Sequence, residues 1–381
     1  MEFWQIILSY LMQPLIWLGL IMTVVIYRQR ISKERRFFRI AIDRDFYEGR
    51  HFLKTAFFGL LIGGIISLAA GLMLTTGSIA LIEIVGIIVV ILLPFFDLSL
   101  IGLWLSAAGI SVLNLADIAD FSIGKMSFSF DGKMLPASVL LLLGIFFLVR
   151  SFLLHYKKNT WFTPRIKGGK RGRRVAYYNW KEFSVIPLII LFPVDTFQSS
   201  WSYWPVFSFN GRSFGIMLLP LLIAAALCVF KEEPQVILSR FYKQSLILSI
   251  LSVVLAVCGL FYPLVAVLGI VIVGILAVYY YFQRKHVDEK GQRWYVETND
   301  GVRVIAVIPN TPAAKMGIQK GDTILDCNKE VVRNEPELYA ALQKNSAYCH
   351  LKIRTFEGDL KITESAIYAD APHEIGLILF Q

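Results

Sequence analysis

Charge is scarce in this chain: Asp, Glu, Lys and Arg together make 17 % of 381 residues, against about a quarter in soluble domains. With 56 % hydrophobic residues and a mean hydropathy of +0.60, the composition is that of a membrane protein. Histidine is scarcer, at five residues. His373-Glu374 continues as Ile375-Gly376-Leu377, without the second His that a zinc-binding HExxH helix needs. All five histidines lie outside the apolar runs, which leaves a membrane-buried Ser–His pair without its base. Neither a GxSxG elbow nor a Walker A loop occurs. The four cysteines form no CxxC pair, so neither a zinc site nor a redox motif is indicated. Cys327 and Cys349 read as small buried hydrophobes. These absences predict a protein that is not an enzyme and has no metal and no cofactor.

What charge there is has a pattern. The net charge is +10, but it is concentrated in two stretches. Residues 28–54 hold nine Lys or Arg against four Asp or Glu, and residues 155–182 hold nine against one. From Arg284 onward the balance is thirteen against fourteen. Basic loops between apolar segments are the positive-inside signature, and no nucleic-acid recognition motif accompanies them. No positive n-region precedes the first apolar run, so a cleavable signal is not expected. The first basic residue is Arg28, which places the N-terminus outside and Arg28 inside.

About twenty apolar residues cross the hydrocarbon core as a helix. Runs at 4–26, 56–75, 78–97, 99–116, 135–154, 183–199, 213–230, 245–261 and 263–282 predict seven to nine spans. The run at 99–116 follows its predecessor closely, and 183–199 is interrupted by Pro187, Pro193 and Asp195. Starting outside, nine crossings put both basic loops and the C-terminus in the cytoplasm. Lys157, Lys158, Lys170, Arg171, Arg173 and Arg174 are then candidates to meet anionic lipid headgroups or simply to fix topology. Glu83, Asp97 and Asp195 fall in or beside apolar runs, where an ionisable group is a functional-site hypothesis; helix-end placement near headgroups is the alternative. Gly63-Gly64 and the prolines would suit broken transporter helices, although both residue types are ordinary in membrane helices.

From about residue 290 the pattern becomes that of a soluble α+β module. Strands are predicted at Arg293–Glu297 and Val302–Ile308 around a turn at Asn299-Asp300-Gly301. A short helix starts at Thr311-Pro312 and stops at Gly317. A strand at Thr323–Cys327 follows. Asn334 with Glu337 forms a capping box for a helix over Glu335–Lys344, whose Leu338, Ala341 and Leu342 share one face. Further strands are predicted at Tyr348–Thr355 and Asp359–Thr363.

The run Pro309…Thr311-Pro-Ala-Ala…Gly317…Lys320-Gly-Asp-Thr-Ile-Leu resembles bacterial PDZ domains. Asn328-Lys329-Glu330 stands where that family usually has Asn-Gly. The resemblance implies capture of an extended peptide at a sheet edge, with its carboxylate held by a hydrophobic-Gly-hydrophobic loop. Ile375, Gly376, Leu377 and Ile378 fit that loop and strand, with Leu338 and Leu342 lining the groove. Two alternatives stay open: Ile375–Phe380 is only a closing core strand, or Arg293-Trp294-Tyr295 forms the edge. If the first assignment holds, Gly376→Trp abolishes capture and leaves the domain folded.

The whole architecture, a polytopic α-helical membrane domain over 1–283 and a cytoplasmic PDZ domain over 290–381, resembles the MinJ family of cell-division topological determinants. That resemblance implies a septal and polar scaffold with the partners DivIVA and MinD. Two other functions fit the same sequence: an adaptor that presents substrates to a separate membrane protease, and a transporter with a regulatory PDZ domain.

Overall fold

The computed structural model describes residues 3–38, 41–92, 99–116, 120–123, 126–130, 134–155, 162–168, 174–193, 206–209, 212–232, 234–290, 296–345, 348–356, 358–366 and 375–380. The first apolar run is split at Met12-Gln13 into α1 (Phe3–Leu11) and α2 (Pro14–Phe38), with Pro14 supplying the fixed φ that suits a first helical turn. Next come α3 (Tyr47–Gly59), a π turn over Leu60–Gly64, α4 (Ile65–Ala69), α5 (Thr76–Leu92) and α6 (Ser99–Leu115). A small hairpin, β1 (Asp120–Ile123) and β2 (Met126–Ser129), precedes α7 (Leu135–His155). After β3 to β6, α8 (Pro234–Phe261) and α9 (Pro263–Lys290) form a helical hairpin that turns at Tyr262-Pro263. Among the described residues, five helical segments are long and apolar enough to cross a membrane: 14–38, 47–69, 135–155, 234–261 and 263–290. The helices α5 and α6, at 17 residues each, are shorter.

The apolar runs expected as helices at 183–199 and 213–230 are strands, insofar as they are described. They are β4 (Arg174–Pro193) and β6 (Arg212–Val229), flanked by β3 (Thr163–Gly168) and β5 (Val206–Phe209) in the order β3-β4-β6-β5. The two long strands pair antiparallel over sixteen residues, from Tyr178↔Val229 to Pro193↔Phe214. At ~3.3 Å per residue the ladder is about 50 Å long, longer than the ~30 Å hydrocarbon core. Helices surround it: α2, α3 and α4 pack on β4, and α1, α5, α6 and α7 pack on β6. Gly59 and Gly63 allow the helix to lie directly on β4, because a Cβ at these positions would come within 2.5 Å of Ile186 and 2.8 Å of Leu188. Packing on the sheet accounts for Gly63 without a broken transport helix.

A sheet among apolar helices must satisfy its edges internally. Gln13 Nε2 donates to Leu218 O at 2.9 Å and Ser99 Oγ to Ala224 O at 3.3 Å. Leu191 exchanges bonds with the loop before α5, through Leu74 N–H to Leu191 O and Leu191 N–H to Leu72 O. These contacts fix which residues turn their backbone outward: even numbers on β6 and odd numbers on β4. Pro187 and Pro220, which face each other across the ladder, both fall in the outward set. They therefore remove no ladder bond, and they eliminate two N–H groups that would otherwise face apolar helices.

Nearer the chain end, β7 (Val302–Arg303), β8 (Ala306–Val307), α10 (Pro312–Lys315), β9 (Thr323–Cys327) and β10 (Glu330–Val331) lead to α11 (Glu335–Lys344). Strands β11 (Tyr348–Arg354), β12 (Leu360–Ala366) and β13 (Leu377–Ile378) complete the module. One sheet runs β10-β9-β11-β12 with β7 also on β9, and a second pairs β13 with β8. The turn at Asn328-Lys329 joins β9 to β10 with φ of 51° and 69°. This is the type I′ geometry of a two-residue hairpin loop, kept here without glycine.

Candidate peptide-docking site

The helix α11 begins as its sequence dictates. Asn334 Oδ1 accepts from Glu337 N–H at 2.9 Å, and Glu337 Oε2 accepts from Arg333 N–H at 2.8 Å. This cap fixes the face carrying Leu338, Ala341 and Leu342. These three share one core with Ile375, Leu377 and Leu379, so the structure brings four of the predicted groove residues together.

The strand β13 is set by its glycine. Gly376 has φ +88°, and an added Cβ would lie 2.2 Å from Thr311 Oγ1. This close approach lets Ile375 O accept from Ala313 N–H at 3.0 Å, which satisfies the first turn of α10. Gly376 O and Ile378 O accept from Ile308 and Ile305 N–H, each at 2.8 Å. By alternation, the backbone groups of Leu377 and Leu379 point to the other edge, as strand addition requires.

Two expectations are corrected here. Ile378 does not line the groove with Leu338 and Leu342. It packs with Ile305 and Phe380 against Phe162, Tyr178 and Trp180 of the membrane half, because adjacent residues of a strand face opposite ways. Gly376→Trp is also expected to unfold the domain rather than leave it folded, since a side chain there meets both the positive φ and the Thr311 contact. The six predicted residues are all buried, so in this state Ile375–Phe380 is a core strand and the apolar lining is closed. The competing edge, Arg293-Trp294-Tyr295, lies outside the described residues.

The module sits on the start of β4. Tyr178, fully buried, donates from Oη to Ile305 O at 2.5 Å. Val296 bridges Val175, and Glu297 N–H donates to Arg174 O at 3.2 Å. Arg174 Nη2 donates to Glu297 Oε1 at 2.7 Å, and the guanidinium lies 5.9 Å from the Phe380 ring centre. Arg174, expected at lipid headgroups, is thus engaged with the terminal domain. Lys320 reaches the other way, with Nζ 5.3 Å from the Phe162 ring and 5.2 Å from the Tyr178 ring. The other headgroup candidates, Lys157, Lys158, Lys170, Arg171 and Arg173, lie outside the described residues.

One ionic cluster went unseen in the sequence. Arg30 is only 8 % exposed. Its Nε donates to Glu48 Oε1 at 2.6 Å, Nη1 to Glu34 Oε1 at 3.2 Å and to Asp43 O at 2.7 Å, and Nη2 to Asp45 O at 2.8 Å. The Tyr47 ring lies 4.5 Å from the guanidinium. This geometry needs the flat five-donor fork of arginine. Beside it, His51 Nδ1 is 3.0 Å from Glu182 Oε1, which also accepts from Trp180 Nε1 at 3.1 Å. The first basic stretch is therefore partly a folded corner between α2, α3 and β4. The i,i+4 pair Arg30/Glu34 was its only local signal.

Glu83 is half-buried in α5, with Oε1 enclosed and no hydrogen-bond partner among the described residues. Asp97 and Asp195 lie outside them. No group of three potential metal ligands occurs among the described residues.

Residues 303–355 match the PDZ domain family, and this is the chain's C-terminal domain. Over nearly its whole length the chain is similar to proteins named for cell division. It is 28 % identical to a probable cell division topological determinant MinJ of Lacticaseibacillus paracasei, over 98 % of both chains. It is 24 % identical to the cell division topological determinant MinJ of Bacillus subtilis, over 97 % of this chain and 92 % of that one. A serine protease HTRA1 of Xenopus tropicalis is 30 % identical over 69 residues, which is 18 % of this chain and 15 % of the protease. The full-length relatives are named as topological determinants rather than enzymes, and a PDZ domain is not catalytic.

Proposed function

We propose that this chain is a non-enzymatic membrane scaffold that recruits cell-division regulators to septum and poles. The observation that carries the reading is the full-length likeness to MinJ-named proteins, joined to a PDZ domain seated on the membrane half. DivIVA-type and MinD-type proteins are the partners this reading assigns. The excess of Lys and Arg in 28–54 and 155–182 supports a cytoplasmic position for these stretches and for the PDZ domain, with the N-terminus outside. Division of labour follows the boundaries 1–283 and 290–381: the first part anchors and the second presents a docking edge.

That edge is the backbone of Leu377 and Leu379, with Ile375, Gly376, Leu377, Leu338 and Leu342 forming the pocket beneath an added strand. The pocket is closed in the free domain, so a peptide must displace its own lining to enter, which favours modest affinity and reversible recruitment. A fluorescent fusion in growing cells tests the reading. Enrichment at young septa and poles is the expected result, and an even membrane distribution defeats it.

A further inference from the structure

Between α7, α8, α9 and the end of β6 lies a cleft of about 680 Å³, well within the range of ligand sites. It has a cationic wall. Arg150 of α7, 5 % exposed, lines it together with Arg284 and Lys285 of α9. The Arg150 guanidinium lies 4.6 Å from the Phe241 ring centre, and that of Arg284 lies 4.0 Å from the same ring. Arg284 Nη1 also donates to Gln244 Oε1 at 2.6 Å, and Gln244 Nε2 in turn donates to Gln283 Oε1 at 2.7 Å. Two guanidinium groups are thereby held at one aromatic ring, facing a common space.

The buried acid in the cleft is already engaged. Asp288 Oδ1 accepts from the N–H groups of Phe230, Lys231 and Glu232 at 3.1, 2.9 and 3.0 Å, closing the turn between β6 and α8. Glu289 is exposed at the rim. Beside these cations the lining is apolar. Ile101, Val278 and Tyr281 line the cleft and remain 51 %, 56 % and 58 % exposed, so it opens onto the outward surface of the apolar helices.

We propose that this cleft holds the headgroup of an anionic phospholipid, with its acyl chains along α6 and α9. Charge complementarity selects the anion, and the exposed apolar wall selects a ligand that brings hydrocarbon with it. Basic pockets between spans at the cytoplasmic side have this chemistry. A free phosphate ester would use only half of the surface. The proposed site uses none of the basic residues Lys157, Lys158, Lys170, Arg171, Arg173 and Arg174 and does not depend on the scaffold reading.

The test is native mass spectrometry of the purified full chain, released from bilayers containing phosphatidylglycerol and phosphatidylcholine in equal amounts. One retained phosphatidylglycerol per chain, preferred at least tenfold over phosphatidylcholine, is expected. Arg284→Gln should lower that retention at least tenfold. Val278→Trp, which narrows the cleft and removes neither guanidinium, should lower it as well without changing the Tm in phosphatidylcholine. Lys344→Gln, on α11 of the terminal domain and exposed, should leave it unchanged. Equal retention of both lipids, unchanged retention in Arg284→Gln, or full displacement of the lipid by glycerol phosphate at equal concentration would each overturn the proposal.

Discussion

Two sheets in this molecule are built on the same antiparallel ladder, yet only one is visible as a sheet in the sequence. In β11, Cys349, Leu351 and Ile353 are fully buried and alternate with His350, Lys352 and Arg354. Water on one side imposes that period of two. In β6, the consecutive residues Leu221, Leu222, Ile223 and Ala224 are at most 6 % exposed. Both faces of that strand meet apolar side chains, so nothing alternates, and a short apolar run cannot be told from a helix by periodicity. An apolar sequence therefore reports that a segment is enclosed, without reporting which backbone geometry encloses it.

The sharpest way to break this comparison is a cross-link. Ile189 and Leu218 are register partners in a pair whose backbone turns outward, where Cα atoms lie roughly 4.5 Å apart. That separation suits a disulfide. Ile189→Cys with Leu218→Cys should cross-link nearly completely on mild oxidation, read as a mobility shift after proteolysis between them. If two helices occupied these segments, a residue-by-residue cysteine scan would peak every three to four positions instead of every two.

The second test concerns the soluble sheet. Gly376→Trp should unfold the terminal domain, with a loss above about 3 kcal/mol from strain and overpacking together, read as rapid proteolysis beyond Lys290. A domain that stays protected would show that the Thr311 approach is dispensable. A smaller effect is expected at the hairpin edge. Gln13→Leu leaves Leu218 O unpaired in an apolar setting and should cost about 1–3 kcal/mol, seen as a lower Tm of the detergent-solubilised chain. The smallest expected effect is favourable. Lys329→Gly relieves a left-handed residue in the type I′ turn and should raise the stability of the terminal domain by about 1 kcal/mol, measured by urea unfolding followed on Trp or Tyr fluorescence.

Much of the terminal domain was legible because its signals are local. The Asn334–Glu337 cap, Thr311-Pro312 at a helix start and Gly317 at its end each act within a few residues. The sequence placed Ile375–Leu377 with Leu338 and Leu342 through a family resemblance. It could not show that Ile378 turns toward Tyr178, because the second body it packs on is remote in sequence. In the membrane half, α7 and the turn between α8 and α9 fall where the apolar runs put them, while α8 starts well before the run 245–261 and α9 continues well past the run 263–282. The hairpin did leave one local trace. Pro187 and Pro220 stand in the middle of runs where a helix would lose a hydrogen bond and clash with its preceding turn.

The basic stretch 28–54 shows the same limit for charge. Counting Lys and Arg gives its net sign, but not that Arg30 is enclosed by Glu34, Glu48 and two backbone carbonyls while Arg174 reaches Glu297. The amount of apolar residues and their distribution along the chain determined that most of it suits a membrane and its end suits water, because the free energy of exposing apolar groups to water grows with the apolar area exposed. Local turn and cap chemistry determined most of the terminal domain's elements. Only the tertiary structure decided that two apolar runs pair as strands, that the terminal domain rests on one of them, and that Arg150 and Arg284 share a cleft. Each of those depends on partners supplied by distant segments, and a backbone donor, a strand face or a guanidinium is satisfied by whatever the fold places beside it.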